Sequence, residues 1–404
     1  MKIKIEKLVY GGSGLGRLDN GKVVPVPHTI DGENITICDI QEQNKASIGV
    51  IESITERSYY RVEPPCPYFY HCGGCQYMHI AYAHQLAIKK SILYSQLERL
   101  GGISKLDISD TIPSPDQLAY RNHVQFHIDK DGRPGFQRAR SHEIIHIEKC
   151  LLLEDTLNDL LHTIVLDPSS GITRMSIRDD AIGTPVLALS GETVNPPSFE
   201  IDFPLNVVYR GPAGEMRLSG EAFNQFDIGG KTFQVSSASF FQTNRKVAER
   251  LIELLLEHIP REINTILDCY CGVGLFSAFL AERTRRLIGI ETSETACSDF
   301  AVNLDCHDHV ELYQGSAEDI LPHLEIKADL VVVDPPRAGI APTAMKAIIG
   351  MRPTRIAYIS CDPSTLARDL KILTSAGFNI VTIIPLDMFP QTYHIETFVL
   401  LTRD

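Results

Sequence analysis

The hydrophobic positions change rhythm three times along this chain. Residues 1–56 run in short alternating stretches, KIKIEKLVY, KVVPVP, ENITICDI and ASIGVIESI, parted by the turn signals GGSGLG, LDNG and IDGE. Alternation of this kind marks half-buried strands, and four or five of them in so short a segment predict a small β-barrel, which closes its own edges. Residues 57–79 are rich in Pro, Cys and aromatics, and AYAHQLAIKKSILYSQLERLGG then carries apolar residues at helical spacing. That spacing predicts a helix over about 80–102, stopped by Gly101 and Gly102 and free to pack on the C-terminal part. From about 107 to 235 strand and turn patterns dominate, interrupted by the helical LLLEDTLNDLLHTIV. From about 236 onwards apolar runs alternate with helical segments: TILDCY then LFSAFLAERT, RLIGIE then TACSDFAVNLD, followed by DLVVVD and RIAYIS. Such alternation predicts a doubly wound, Rossmann-like α/β unit with a mainly parallel sheet. The expected organisation is a β-barrel over 1–56, a β-rich central region over 57–235 and an α/β domain over 236–404. There is no internal repeat.

Length and composition refine this picture. A chain of 404 residues has room for more than one core, and 44% hydrophobic with 22% charged residues is ordinary for a globular protein. No apolar run reaches the roughly eighteen residues a membrane span requires, and MKIKIEKLVYGG lacks the apolar core of a secretory signal. A cytoplasmic monomer away from membranes is therefore expected. In a reducing compartment the ten cysteines point to metal binding or catalysis before disulfides. The net charge of −13 does not favour nucleic acid, but binding depends on local charge. Arg121, Lys130, Arg133, Arg138 and Arg140 face only Asp129 and Asp131 over residues 121–140. By itself that stretch reads as a solvated charged face.

In an open α/β sheet, ligands bind beyond the C-terminal strand ends. ILDCYCGVG (266–274) is a strand entering a glycine-rich turn, and Glu291 ends RLIGIE twenty-three residues after Asp268. A carboxylate there can accept both hydroxyls of a ribose, which suits an adenosyl nucleoside. DLVVVDPPRAG places Asp334 at the edge of the sheet, with Pro335 and Pro336 stiffening the turn. Cys361 ends the next strand and precedes a helix, a position in which the helix dipole favours a thiolate. Cys38, Cys269, Cys271, Cys297 and Cys306 are expected to be buried packing residues. Cys66, Cys72 and Cys75 occur as C-x5-C-x2-C, and Cys150 can supply a fourth thiolate. By spacing, zinc and an iron–sulfur cluster are both open, with His71 and His79 as flanking residues rather than ligands.

FFQTN (240–244), LDCYCGVG, DPPRAG, SCDPSTLARDL and PQTYHIETFVLL, in this order over essentially the whole chain, resemble the motif set of the RNA uracil-5-methyltransferase family. The resemblance implies an S-adenosylmethionine-dependent enzyme in which Cys361 attacks C6 of a uracil and Glu396 removes the C5 proton. It implies cofactor contacts from Gln242, Tyr270, Glu291 and Asp334, with Ser316 as a further candidate. It also implies a TRAM-like RNA-binding barrel and a [4Fe–4S] cluster on Cys66, Cys72, Cys75 and Cys150, with zinc as the alternative. Arg121 and Phe240 are the candidate RNA contacts, Phe240 by stacking on a flipped base. The barrel and the cysteines lean towards 23S ribosomal RNA, with transfer RNA second. A non-catalytic RNA-binding or redox-sensing protein is the reading from another class, and the presence of both Cys361 and Glu396 argues against it. One departure stands out: the family usually has Asn after the nucleophile, and this chain has Asp362, whose charge disfavours a thiolate.

Overall fold

A computed structural model of the chain describes every residue except 44–45, 105–106, 140, 165, 181–182, 197–199, 201 and 404, so Arg140 lies outside the described residues. The N-terminal alternation folds into β1 (Lys2–Leu8), β2 (Ser13–Arg17), β3 (Val23–Pro27), β4 (Asn34–Gln43) and β5 (Ala46–Glu56). They pair antiparallel in the order β3-β2-β1-β4-β5. Period-two burial sends Ile3, Ile5, Val24, Val26, Ile35 and Ile37 into one small core. The sheet curls until Val24 and Val26 of β3 meet Gly49 of β5, where a Cβ would already touch both valines.

Helix α1 (Tyr82–Arg99) follows and stops where the two glycines predict. Its Leu93 and Leu97 enter the core of the C-terminal sheet, while Ile88 and Ile92 pack on Leu8 and Ile30 of the barrel region. The helix is therefore a spacer with two apolar faces. The central region supplies β6 (His123–Ile128), β7 (Pro134–Gln137), β8 (Ile144–Ile145), α2 (Asp155–Thr163), β9 (Ile172–Arg178), β10 (Val186–Gly191), β11 (Asn206–Gly211) and β12 (Gly214–Ser219). The strands form a seven-stranded sheet, β12-β11-β10-β9-β6-β7-β8, antiparallel except for β10 with β11. Leu157 and Leu161 of α2 cover Phe126, Met175 and Ile177 of this sheet.

The hairpin of β13 (Phe223–Ile228) and β14 (Lys231–Ser236) turns at Gly229 and Gly230, both at positive φ, as a tight two-residue connection requires. Its Phe226 and Phe233 belong to the core of the C-terminal unit. That unit runs α3 (Arg245–His258), β15 (Ile263–Cys269), α4 (Leu275–Leu280), β16 (Thr284–Glu291), α5 (Glu294–Asn303), β17 (Val310–Gln314), α6 (Ala317–Ile320), β18 (Leu330–Val333), α7 (Pro342–Met351), β19 (Arg355–Ser360), α8 (Pro363–Ser375), β20 (Asn379–Leu386) and β21 (Glu396–Thr402). The sheet order is β17-β16-β15-β18-β19-β21-β20, with β15 to β19 parallel and β21 antiparallel to both its neighbours. Strands β18 and β19 are buried on both faces, as their unbroken apolar runs demand. Asp334 accordingly ends the middle strand of the sheet rather than lying at its edge, because β18 pairs with β15 on one side and β19 on the other. Among the described residues no helix is long and apolar enough to cross a membrane.

Candidate active site

The strand register converges the chemistry on one rim. Strands β19 and β21 pair Ile359 with Phe398 and Ser360 with Thr397, so one further antiparallel step sets Cys361 opposite Glu396. On the other side β18 pairs Val333 with Tyr358 of β19 and with Cys269 of β15. The residues just beyond these ends are Asp334 and Tyr270.

The loop after β15 is built for close approach to a ligand. Tyr270 and Gly272 lie at φ +65° and +55°, and Gly274 at φ +88° opens α4. A Cβ at Gly274 would come 2.4 Å from Leu304, whereas one at Gly272 would meet nothing within 4 Å. Beside the loop, Glu291 accepts from the backbone N–H groups of Gly272 (3.0 Å), Thr292 (2.8 Å) and Ser293 (2.7 Å). These bonds fix the carboxylate at the strand end, while Ser293, not Glu291, caps α5. Ser277 donates to Asp268 at 2.6 Å, but the other Asp268 oxygen is buried without a hydrogen-bond partner. Open space at Gly272, an orphaned acceptor and the fixed Glu291 fit a nucleoside bearing hydroxyls and a cationic centre. Ser316 spends its hydroxyl capping α6 and bonding Asp319 at 2.6 Å. Gln242 is buried, and its backbone carbonyl accepts from the Asn122 side-chain amide.

Three carboxyl groups crowd the rim. Burial pushes Asp268 up to about 7, with Glu291 adding to the push and the Ser277 hydrogen bond opposing it. Asp334 keeps some accessible surface but is surrounded by protein, and burial followed by Asp268 pushes it up to about 7. Glu396 is 4% exposed and held well above the usual carboxylate range by burial and then by Asp334. Cys361 is pushed up to about 12, by burial first and then by Glu396, Asp334 and Asp362, against the pull of Arg337. The helix-dipole expectation is thus corrected. Cys361 precedes the N-cap, and Asp362 itself takes the free N–H groups of Ser364 (2.8 Å) and Thr365 (3.1 Å). The cap consumes the donors that would otherwise favour a thiolate.

The segment leading into Glu396 is fixed from several directions. Lys89 of α1 pairs with Asp387 at 2.5 Å and donates to the Phe389 carbonyl at 3.1 Å, both charged side chains being fully buried. Gln85 donates to the Gln391 side chain and accepts from the Gln391 backbone N–H. Tyr120 donates to Pro390 O, and Asn244 to Met388 O. None of Lys89, Gln85 and Asp387 was expected at the site. The available signal is that Gln85 and Lys89 continue the i, i+4 series of Leu93 and Leu97 on the buried face of α1.

Cys66, Cys75 and Cys150 pack on one apolar cluster of Phe69, Met78, Tyr120 and Leu152. Cys72 lies within their electrostatic reach, its thiol raised by burial first, and Gly74 N–H donates to its sulfur at 3.4 Å. Among the described residues no group of three or more His, Cys, Asp or Glu side chains is arranged to hold a metal ion. The four thiols share a neighbourhood without forming such a group. Burial lowers His79 to about 3, consistent with a packed, neutral ring. Cys38 and Cys306 are exposed, contrary to the expectation of packing; Cys269, Cys271 and Cys297 are buried.

Among the described residues of the basic stretch, three arginines have partners. Arg121 turns towards Tyr120, Cys75 and Cys150. Arg133 pairs with Asp129 and Asp131, and Arg138 with Glu143. Phe240, by contrast, is 71% exposed next to the buried Phe241. A cleft of about 1550 Å³ runs between the barrel and the central sheet, lined among others by Gly12, Tyr70, Gln76, Gln137 and Arg138, with Tyr393 at its wall.

The profile of the tRNA (uracil-5-)-methyltransferase family matches residues 199–404. Over nearly their full lengths, two bacterial proteins described as RNA methyltransferases align with this chain. One, from Thermotoga maritima, is 33% identical over 100% of this chain and 99% of its own. The other, from Aquifex aeolicus, is 34% identical over 99% and 98%. Among solved structures, the Pyrococcus abyssi tRNA (uracil-54, C5)-methyltransferase in complex with S-adenosyl-L-homocysteine superposes with a TM-score of 0.78. It is 26% identical, and the match covers 100% of both chains.

Proposed function

The chain belongs to the tRNA (uracil-5-)-methyltransferase family of S-adenosylmethionine-dependent RNA methyltransferases, and on that premise we propose that Cys361 and Glu396 carry its reaction. The observation supporting this reading is the register of β19 against β21, which pairs Ser360 with Thr397, the chain neighbours of Cys361 and of the buried Glu396. C5 of uracil is a weak carbon nucleophile. Addition of the Cys361 thiolate to C6 forms an S–C6 bond and moves the ring electrons towards O4, which makes C5 nucleophilic. Bound S-adenosylmethionine supplies the methyl group and a positive sulfonium centre. Glu396 then takes the proton from C5, the S–C6 bond breaks and the thiolate leaves. Burial raises the Glu396 pKa, so its carboxylate form, once deprotonated, holds that proton more strongly than an exposed one would.

Glu291 and Asp268 would hold the nucleoside end of the cofactor, and Asp334, Tyr270 and Gln242 would face its remainder, with Ser316 in the outer loop. The cleft beside Tyr393 offers the RNA a path, with exposed Phe240 as a stacking surface for the extruded base. Cys66, Cys72, Cys75 and Cys150 present the soft donor set that an iron–sulfur cluster or zinc requires, and we favour [4Fe–4S]. Iron and sulfide content of anaerobically purified protein tests that assignment. The five-stranded barrel and the four thiols favour ribosomal RNA as substrate. Transfer RNA is the second reading, favoured by the P. abyssi match. Mapping 5-methyluridine in both RNAs, with and without the gene, separates them, and no change in either removes the substrate claim. Cys361→Ala should abolish tritium release from C5-labelled uridine in RNA; continued release would remove Cys361 as the nucleophile.

A further inference from the structure

Residues 387–395 close the hairpin of β20 and β21, in which Leu386 pairs with Glu396. Bulk water cannot satisfy the backbone of this connection, because Asp387, Met388, Gln391, Thr392 and Ile395 are all buried. Groups from elsewhere in the chain do so, and they converge on Gln391. Its backbone lies at φ +68°, the left-handed region that is unfavourable for a residue with a Cβ. Its carbonyl accepts from the N–H groups of Gln76 (3.0 Å) and Tyr77 (2.9 Å), directly after Cys75. Its own N–H donates to Gln85 Oε1 at 3.2 Å, and Gln85 Nε2 donates back to Gln391 Oε1 at 2.9 Å. Gln391 Nε2 donates to the Gln117 carbonyl at 3.4 Å. Gln85 is itself tied to the carbonyls of Tyr77 and Ile80. Segments around 76, 85 and 117, all distant in sequence, thus meet on one residue.

We propose that Gln391 is a positioning residue for Glu396: its left-handed kink, locked by Gln85 and by the Gln76 and Tyr77 amides, fixes where β21 starts. The proposal rests on the reading of Glu396 as the base. In a hairpin the connection sets the register, and a slip of one residue turns every side chain of the strand to the opposite face. Glu396 is the first residue of β21. Pairing with β19 runs from Thr397 onwards, whereas the ladder partner of Glu396 is Leu386, where the connection begins. The position of Glu396 therefore depends on the path of 387–395 more than that of any later residue in the strand. Cys361 and Glu291 lie at the ends of other strands, so a displaced kink leaves nucleophile and cofactor in place. Methyl transfer to C5 then still occurs. The C5 proton is not removed, the S–C6 bond does not break, and the enzyme stays attached to its methylated RNA.

The test compares Gln391→Val with Gln391→Gly on RNA from cells lacking the gene, labelled with tritium at C5 of uridine. Both variants lose the side-chain amide, but a β-branched residue disfavours the left-handed kink and glycine adopts it freely. Gln391→Val should lower kcat by about tenfold to a hundredfold, the cost of a misplaced catalytic group, with KM for S-adenosylmethionine nearly unchanged. It should also accumulate the methylated enzyme–RNA adduct on denaturing gels. Gln391→Gly should turn over at least about tenfold faster than the valine variant. A merely structural residue would lower the yield of active enzyme without trapping the adduct. Equal rates for the two variants, or a slow valine variant with no adduct, overturn the proposal. Gln85→Met removes the α1 side of the lock and leaves the kink sterically allowed. Should the valine variant fold poorly, adduct above the parental level in Gln85→Met supports the proposal, and the parental level overturns it. Glu396→Gln is the reference that keeps the two claims apart. Absence of adduct there removes the base assignment, whereas adduct there but not in the Gln391 and Gln85 variants removes only this proposal.

Discussion

Replacing Lys89 by Met should cost this protein about 3–5 kcal/mol of stability, the range for stripping a buried ion of its partner. Lys89 and Asp387 are each 0% exposed and 2.5 Å apart, and Lys89 also donates to the Phe389 carbonyl. Methionine roughly preserves the length and volume of the lysine stem, so the packing of α1 on the C-terminal sheet survives. What is lost is the cation, which leaves the Asp387 carboxylate in a site from which water is excluded. A carboxylate in that state titrates above its unfolded value, so the penalty is fully present above the raised folded pKa and vanishes below the unfolded one. The deficit should therefore be larger near pH 8 than near pH 5. Changing both partners, Lys89→Met with Asp387→Leu, removes the stranded charge and should recover most of the loss, because a buried pair contributes little net stability over apolar replacements. Turnover should recover less, since the Phe389 carbonyl, in the segment leading to Glu396, loses its donor from α1 and keeps only those of Thr392. The chain has no tryptophan, so urea unfolding is best followed by far-ultraviolet circular dichroism, in parallel with kcat. A single variant within about 1 kcal/mol of the parent, or a double no more stable than the single, would refute the reasoning.

Other expectations follow from the rim. Alkylation of Cys361 in the free enzyme should climb about tenfold per pH unit through the neutral and mildly alkaline range, because its thiol is pushed up to about 12; a plateau near pH 8 contradicts the assigned environment. Glu396→Gln should lower turnover by about 10²–10⁴-fold while a covalent enzyme–RNA adduct accumulates, visible on denaturing gels; product release at the parental rate would reassign the base. Glu291→Ala frees three backbone N–H groups and should weaken S-adenosylmethionine binding by about tenfold or more in calorimetry. Gly274→Ala forces a left-handed residue against Leu304 and should destabilise the fold by about 1–3 kcal/mol in urea unfolding.

Much of this architecture was legible in the sequence because it is set by local periodicity. Alternation marked the five strands of the curled N-terminal sheet, and the i, i+4 spacing with two glycines marked α1 and its end. The apolar runs of the C-terminal part marked the parallel strands, and their ends pointed to Glu291, Asp334 and Cys361 as candidates. Strand ends are readable because a turn must follow, and a turn is written in Gly, Pro and Asp. The five motifs pointed to the family that the wider comparisons establish.

What the chain order could not carry was any property that depends on neighbours distant in sequence. Asp334 reads as an edge residue until β15 and β19 flank its strand. Cys361 reads as a dipole-activated thiol until Asp362 takes the helix amides and three acids gather around it. Arg121 reads as part of a solvated charged stretch until the fold sets it beside Tyr120. Lys89 and Gln85 fall in the buried i, i+4 series of α1, but their partners Asp387 and Gln391 lie some 300 residues away and only the fold supplies them. Residue type and spacing determine which groups can do chemistry at a strand end. Charge state and orientation are sums over everything within a few ångströms, and only the tertiary structure decides what those neighbours are.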